Sequence, residues 1–67
     1  MDFSEAELRA VELFLEKRHR ATTAEIAKGV GTDMNMGYRY LDFLLKKERI
    51  AGTMDRPQKY YTIKTWE

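Results

Sequence analysis

The chain has no cysteine among its 67 residues, which excludes a disulfide framework and a thiolate metal site. No apolar run approaches the ~20 residues that span a bilayer, and the first residues lack the basic and apolar regions of a secretion signal. With 43% hydrophobic and 34% charged residues, the composition is typical of a globular protein. These features predict one small, soluble, cytoplasmic domain over residues 1–67, with no membrane association.

Side chains that carry out catalysis or bind metals are also scarce. His19 is the only histidine and lies in a basic run, and Ser4, the only serine, has the position of a helix cap. No glycine-rich phosphate loop follows a predicted strand, and no Cys/His cluster has the spacing of metal ligands. The sequence therefore predicts a protein that is not an enzyme, with no cofactor, no metal and no evident small-molecule ligand.

The formal net charge of +1 gives little indication of a nucleic-acid partner. Residues 1–31 contain five Lys or Arg against six Asp or Glu, whereas residues 32–67 contain seven against five. The basic surplus is small, but it lies in the C-terminal half of the chain.

Two capping boxes predict where the first two helices begin. Ser4–Glu7 precedes a helix over residues 5–19, and Thr22–Glu25 precedes one over residues 23–29. Apolar residues follow at helical spacing in both segments, namely Leu8, Val11, Phe14 and Leu15 in the first and Ile26, Ala27 and Val30 in the second.

A third helix is predicted over residues 33–48, after a tight turn at Gly29–Gly31. Either Thr32 or Asp33 is its N-cap. Gly37 lies on the apolar face of this helix, where the missing side chain would allow another helix to approach closely. That face is predicted to contain Met34, Leu41, Leu44 and Leu45.

The periodicity changes after the third helix. Residues 50–54 and 60–66 are rich in β-branched and aromatic side chains, and residues 55–58 between them have the composition of a turn. This pattern predicts a β-hairpin over residues 50–65, with Pro57 at its tip, where no ladder N–H is needed. The predicted fold class is α+β, mainly α, with three helices followed by a C-terminal hairpin.

This order resembles the winged helix-turn-helix family over residues 5–65. The resemblance depends on four segments: Thr22–Ala27, Gly29–Gly31, Arg39–Leu41 with Leu44, and Glu48–Ile50 leading into the hairpin. It implies a helix-turn-helix with the hairpin as its wing. It also implies double-stranded DNA as the partner, although this fold serves as a protein-interaction module too. The Z-DNA-binding branch of the family is disfavoured, because its Asn and Tyr recognition positions align with Tyr38 and Asp42, and its paired wing prolines are reduced to Pro57.

In helix-turn-helix proteins the second helix of the motif lies in the major groove. With Leu41 facing the core, Asn35 and Arg39 point outward, and their side chains have the geometry to pair with adenine and guanine. Asp42 opposes DNA binding on that face, unless it holds Arg39 in place through an i,i+3 pair. Further predicted DNA contacts are Tyr38 and Lys46 on the third helix, Thr23 and Lys28 on the second, and Arg56, Gln58 and Lys59 on the wing. For each of these residues the alternative is an ordinary solvated side chain.

A second apolar stripe on the third helix consists of Met36, Tyr40 and Phe43. Either the wing strands cover part of it, or it is exposed as a surface for a protein partner or a second copy of the chain, an alternative that Trp66 shares. Two functions therefore follow. The first is sequence-specific binding of double-stranded DNA as a transcription regulator, with the third helix in the major groove and the wing on the backbone or minor groove. The second is a protein-interaction module in a larger nucleic-acid-processing assembly.

Overall fold

The computed structural model describes residues 3–64, which form three helices followed by an antiparallel hairpin. The helices are α1 (Glu5–Arg18), α2 (Thr23–Val30) and α3 (Met34–Lys46), and the strands are β1 (Ile50–Asp55) and β2 (Gln58–Ile63). This order is the predicted fold class. None of the helices within residues 3–64 has the length and apolar character that crossing a bilayer requires.

Hydrogen bonds at the helix starts follow from the local sequence. In the first capping box, the Glu7 amide donates to the Ser4 hydroxyl at 3.2 Å and the Ser4 amide donates to the Glu7 carboxylate at 3.3 Å. The Thr22 and Glu25 pair repeats the arrangement at 3.2 and 2.9 Å. At α3 the cap is Asp33, whose carboxylate accepts from a backbone amide of the first turn at 2.8 Å. Each cap of this kind stabilises its helix by about 1 kcal/mol.

Two glycines determine how α2 and α3 meet. Gly31 ends α2 in the left-handed region, with φ of 85°, and its N–H donates to the Ala27 carbonyl at 2.9 Å. Gly37 lies where α3 crosses α2, and a Cβ placed on it would be 3.3 Å from the Cβ of Ala27. The predicted close approach at Gly37 is confirmed, and it allows α3 to pack directly on α2.

The core lies between the three helices and the base of the hairpin. All five elements contribute to it or pack on it, together with the short segment between α1 and α2. Its buried members are Leu8, Val11, Leu15, Ala21, Ile26, Tyr40, Leu41, Leu44, Ile50 and Tyr61. Met34, predicted for the apolar face of the third helix, is 41% exposed instead. It occupies the first position of α3, next to the solvent-exposed cap Asp33.

The hairpin, called the wing below (residues 50–63), pairs Ile50 with Ile63 at its base and Asp55 with Gln58 at its tip. The connection is the two-residue turn Arg56–Pro57, with a cis peptide bond. Beyond the hairpin itself, Ala21 and Tyr61 exchange two backbone hydrogen bonds of 3.1 and 2.8 Å. The segment between α1 and α2 therefore holds one edge of β2, and β1 forms the outer strand.

A partly buried ion pair connects the start of the wing to α1. Arg49 donates from Nε to one carboxylate oxygen of Glu12 at 2.9 Å and from Nη2 to the other at 2.7 Å. Glu12 is buried, and a second carboxylate, that of Glu5, lies 3.5 Å from Arg49 Nη2. The hydrogen bonds to Glu12 raise the pKa of Arg49 above its usual value. This pair fixes the direction in which the chain leaves α3 for β1.

Candidate nucleic-acid interface

A concave surface, called the α3–wing groove below, separates the outer face of α3 from the wing. It consists of two adjoining depressions of about 460 and 410 Å³, which share Tyr38, Lys59 and Tyr61. The first follows α3 and the second reaches the start of α2. Their other lining residues are Asn35, Arg39, Leu41, Asp42 and Leu45 in the first, and Thr22, Thr23, Ala24, Met34, Pro57 and Gln58 in the second.

The α3 wall of the groove presents polar and charged side chains at helical spacing. Asn35, Arg39 and Asp42 line the groove at intervals of four and three residues, and Lys46 follows one turn further along α3, beyond the groove. All four residues are exposed. Asp42 pairs with Lys46 across one turn at 3.3 Å. Part of the positive charge of Lys46 is therefore neutralised within the helix.

Arg39 is held at the edge of the groove by its neighbours on the side away from the wing. Its Nη1 lies 3.9 Å from the Met36 sulfur, and its guanidinium carbon lies 5.7 Å from the ring centre of Phe3. These contacts are weak individually, and they leave the residue exposed and lining the groove. Tyr38, on the wing side of α3, is 54% exposed and lies where the two depressions meet.

The wing wall supplies the opposing cation. Gly52 provides space for the Lys59 side chain, since a Cβ on that glycine would lie 2.9 Å from the lysine Cε. The Lys59 ammonium then lies 5.5 Å from the ring centre of Tyr61. Arg56 and Gln58 are exposed at the wing tip. The groove therefore has a basic group on its wing side and an amide and a guanidinium on its helix side.

Of the two predicted contacts on α2, Thr23 lines the groove but is largely buried, and Lys28 lies outside the groove. Thr23 is only 8% exposed, and its methyl group packs near Gly37. Lys28 lies outside the α3–wing groove, in a separate depression that it shares with Phe14 and Arg18. The sequence placed both residues at ends of one short helix, but the crossing of α2 over α3 turns the C-terminal end of α2 away from the groove.

The stripe of Met36, Tyr40 and Phe43 is packed against the core. Tyr40 is 3% exposed, which corrects its assignment to an exposed partner surface, and the other two are half-buried. Phe3 covers the stripe, and its ring contacts those of Tyr40 and Phe43 edge-on, with ring centres 5.2 and 5.6 Å apart. The wing strands, which the sequence offered as one possible cover, lie elsewhere. The physical reason is that the wing packs on the Leu41 side of α3, about 100° around the helix axis from Tyr40. Trp66 lies outside the described residues.

Burial raises the pKa of the Tyr40 hydroxyl above its ordinary value, and the nearby carboxylate of Glu7 raises it further. The hydroxyl is therefore neutral wherever the domain is folded at neutral pH.

Arg20 makes a tertiary contact that sequence reasoning missed. It belongs to the basic run around His19, just after the end of α1. Its Nη1 donates to the Asp55 carboxylate at 2.9 Å, and its guanidinium carbon lies 4.0 Å from the ring centre of Tyr60. The hydrogen bond to Asp55 raises the pKa of Arg20. No local signal reveals this contact, because the two charged residues are 35 positions apart.

Comparison with known proteins gives structural matches only. No protein-family model and no curated protein sequence matches this chain. The Zalpha domain of Carassius auratus PKZ, solved in complex with Z-DNA, superimposes with a TM-score of 0.80 at 20% identity, covering 90% of this chain and 95% of that one. MarR from E. coli, in a variant complexed with operator DNA, superimposes with a TM-score of 0.80 at 21% identity and covers 96% of this chain.

The adhesin competence repressor AdcR from Streptococcus pyogenes superimposes with a TM-score of 0.74 at 18% identity, covering 94% of this chain. This chain spans about half of the two bacterial proteins, 47% of MarR and 48% of AdcR. At these identities the likeness concerns the fold. Three helices followed by a two-stranded antiparallel hairpin match these neighbours, and the chain has the winged helix-turn-helix fold.

Proposed function

We propose that this chain binds double-stranded DNA through the α3–wing groove and acts as a sequence-specific transcription regulator. The observation that carries the proposal is the exposed face of α3, with Asn35 and Arg39, opposite a wing that presents Lys59 and Arg56. In this fold the second helix of the motif enters the major groove, and the wing follows the backbone or the minor groove. Support also comes from solved neighbours of the same fold that hold Z-DNA or operator DNA.

We assign base recognition to two exposed polar residues of α3. The side-chain amide of Asn35 can form two hydrogen bonds with the donor and the acceptor that adenine presents in the major groove. The Arg39 guanidinium can donate to the two acceptors that guanine presents there. Both lie on the outer face of the helix, one turn apart.

We assign most of the phosphate contacts to the wing. Lys59 faces the groove, and Arg56 extends from the turn, so that both reach a backbone lying along the wing. Lys46 adds a weaker contact at the far end of α3, because Asp42 neutralises part of its charge. With so few cations, affinity should be moderate and strongly dependent on salt.

Right-handed DNA is the expected form. The neighbour that holds Z-DNA matches this fold over nearly its whole length, but Tyr38 and Asp42 stand at the positions that align with the Asn and Tyr of the Z-DNA-binding branch. A carboxylate at position 42 cannot stack on a base, and it repels phosphate. We therefore expect a right-handed duplex to bind more tightly than a duplex held in the left-handed form.

The second function considered from the sequence, a protein-interaction module, depended on the stripe of Met36, Tyr40 and Phe43. Phe3 packs on that stripe, and Tyr40 is buried. The surface that would have favoured a protein partner is thus used within the domain, and DNA binding is the better supported function.

The first experiment is fluorescence anisotropy with labelled random-sequence duplexes at salt concentrations from about 50 to 200 mM. We expect binding whose affinity falls steeply with salt, and selection from the pool should then give a preferred site. Absence of binding at the lowest salt would contradict the proposal. The stoichiometry on the selected site distinguishes one bound copy from two.

Two substitutions separate base reading from backbone contact. Arg39→Ala should cost about 1–3 kcal/mol on the selected site and much less on random duplexes. Arg56→Ala should weaken binding to every sequence and reduce the salt slope by about 0.9 per lost phosphate contact. Arg9→Ala, which removes an exposed α1 arginine outside the groove, is the matched control. If both test variants bind like this control, the assigned residues are wrong.

A further inference from the structure

Arg20 is an exposed arginine beside the proposed DNA surface, and its guanidinium contacts the wing. Its Nη1 donates to the Asp55 carboxylate at 2.9 Å. Its guanidinium also lies over the ring of Tyr60, 4.0 Å from the ring centre. Asp55 is on β1 and Tyr60 on β2, so this one side chain contacts both strands of the hairpin.

We infer that Arg20 is a positioning residue for DNA binding, which holds the wing at the angle that its tip needs and does not itself contact DNA. The inference rests on the proposed function. Its basis is the place of the contact in the wing, since Asp55 directly precedes Arg56 and pairs with Gln58 at the last rung of the ladder.

The distal half of the wing needs such a support. A two-stranded hairpin is marginally stable by itself in water, and residues 52–59 are all exposed. Closer to the core, the backbone bridge between Ala21 and Tyr61 holds β2 in place. The contact of Arg20 with Asp55 lies further out, next to the turn. With it, the tip is ordered before DNA arrives, and less conformational entropy is lost on binding.

The chemistry of the contact favours arginine in particular. A planar guanidinium can hydrogen-bond a carboxylate at its edge while its face stacks on an aromatic ring. A lysine ammonium is a point charge that cannot stack in this manner. The pairing also neutralises Asp55, a carboxylate that would otherwise repel phosphate close to the wing tip.

The decisive variant is Asp55→Asn, because the two possible roles of Arg20 predict opposite effects. If Arg20 positions the wing, Asp55→Asn releases the tip and weakens binding to random duplexes by about threefold to tenfold, as Arg20→Ala does. If Arg20 contacts phosphate instead, Asp55→Asn removes a negative charge, frees the arginine and leaves binding unchanged or tighter. Glu16→Gln is the matched control, since it removes an exposed carboxylate that pairs with Arg9 on α1.

Two further variants separate positioning from direct contact. Arg20→Lys keeps the charge but loses the stacked, edge-bonded geometry, so it should weaken binding nearly as much as Arg20→Ala. In the double variant of Arg20→Ala with Arg56→Ala, the fold-loss of affinity should be smaller than the product of the two single fold-losses. The reason is that Arg20 acts on binding by positioning the wing tip, which contains Arg56. Thermal unfolding of each variant should stay near that of the wild type, because Arg20 and Asp55 are about half exposed.

Weaker binding of Asp55→Asn, together with a non-multiplicative double variant, would support the inference. Asp55→Asn that binds as tightly as wild type, or losses that multiply fully in the double variant, would overturn it while DNA binding stands. Failure of the wild-type protein to bind any duplex at the lowest salt would refute the proposed function, and the inference with it.

Discussion

Replacing Arg49 with alanine would leave the Glu12 carboxylate buried without its main partner. Two hydrogen bonds, of 2.9 and 2.7 Å, join the guanidinium to both oxygens of that carboxylate. The Glu12 side chain is 9% exposed, so water cannot replace them fully. Arg9 lies 3.8 Å from one of the same oxygens, but it is 56% exposed and too distant to compensate.

The free energy of unfolding that Arg49→Ala removes should lie between two known limits. Breaking a fully buried pair from one side costs about 3–5 kcal/mol, whereas exposed pairs contribute about 0–1 kcal/mol. Arg49 is 32% exposed and Arg9 stays nearby, so we expect Arg49→Ala to cost about 2–3 kcal/mol. Since a domain of this size has a free energy of unfolding of about 3–10 kcal/mol, the loss is a large share of the total.

Urea denaturation followed by circular dichroism measures this loss as a shift of the midpoint at constant slope. Arg18→Ala is the control, because that arginine makes an exposed ion pair with Glu25 at 3.8 Å, and it should cost under about 1 kcal/mol. The double variant Glu12→Met with Arg49→Met should recover most of the stability, since no buried charge is left behind. If Arg49→Ala behaves like Arg18→Ala, the desolvation argument is refuted.

Three other predictions concern stability. Gly29→Ala gains about 1 kcal/mol of helix propensity, but its Cβ would overlap the Phe14 ring; displacing that ring costs about 1–3 kcal/mol. We therefore expect net destabilisation in urea, reversed to a net gain when Phe14→Ala is the background. Gly31→Ala should lower the free energy of unfolding by about 1–2 kcal/mol, because position 31 has a positive φ. Gly31→Asn should lower it less, and equal losses in the two variants would refute this explanation. Because the pKa of Tyr40 is raised in the folded state, the unfolded chain loses that proton first. Stability should decline as pH rises from about 10 towards the folded pKa, and Tyr40→Phe should show a shallower decline.

Local sequence was enough to predict the elements of this fold. A capping box involves residues three positions apart, a left-handed helix end needs one glycine, and a hairpin turn needs a few residues between two strands. Accordingly, the caps at Ser4 and Thr22, the turn at Gly31 and the turn at Arg56–Pro57 all lie where the sequence placed them. Helical spacing likewise indicated the outward face of α3, because that face depends only on which residues are apolar.

The tertiary structure decided which side chains share a surface. The angles at which α1, α2 and the wing pack on α3 place Lys28 outside the α3–wing groove, bring Phe3 onto Tyr40 and bring Arg20 to Asp55. Arg49 and Glu12 are 37 positions apart, yet they form a partly buried ion pair at the edge of the core. Such pairs depend on the distance between whole elements after packing. No periodicity along the chain encodes that distance, because it results from the shapes and volumes of all the side chains that pack between those elements.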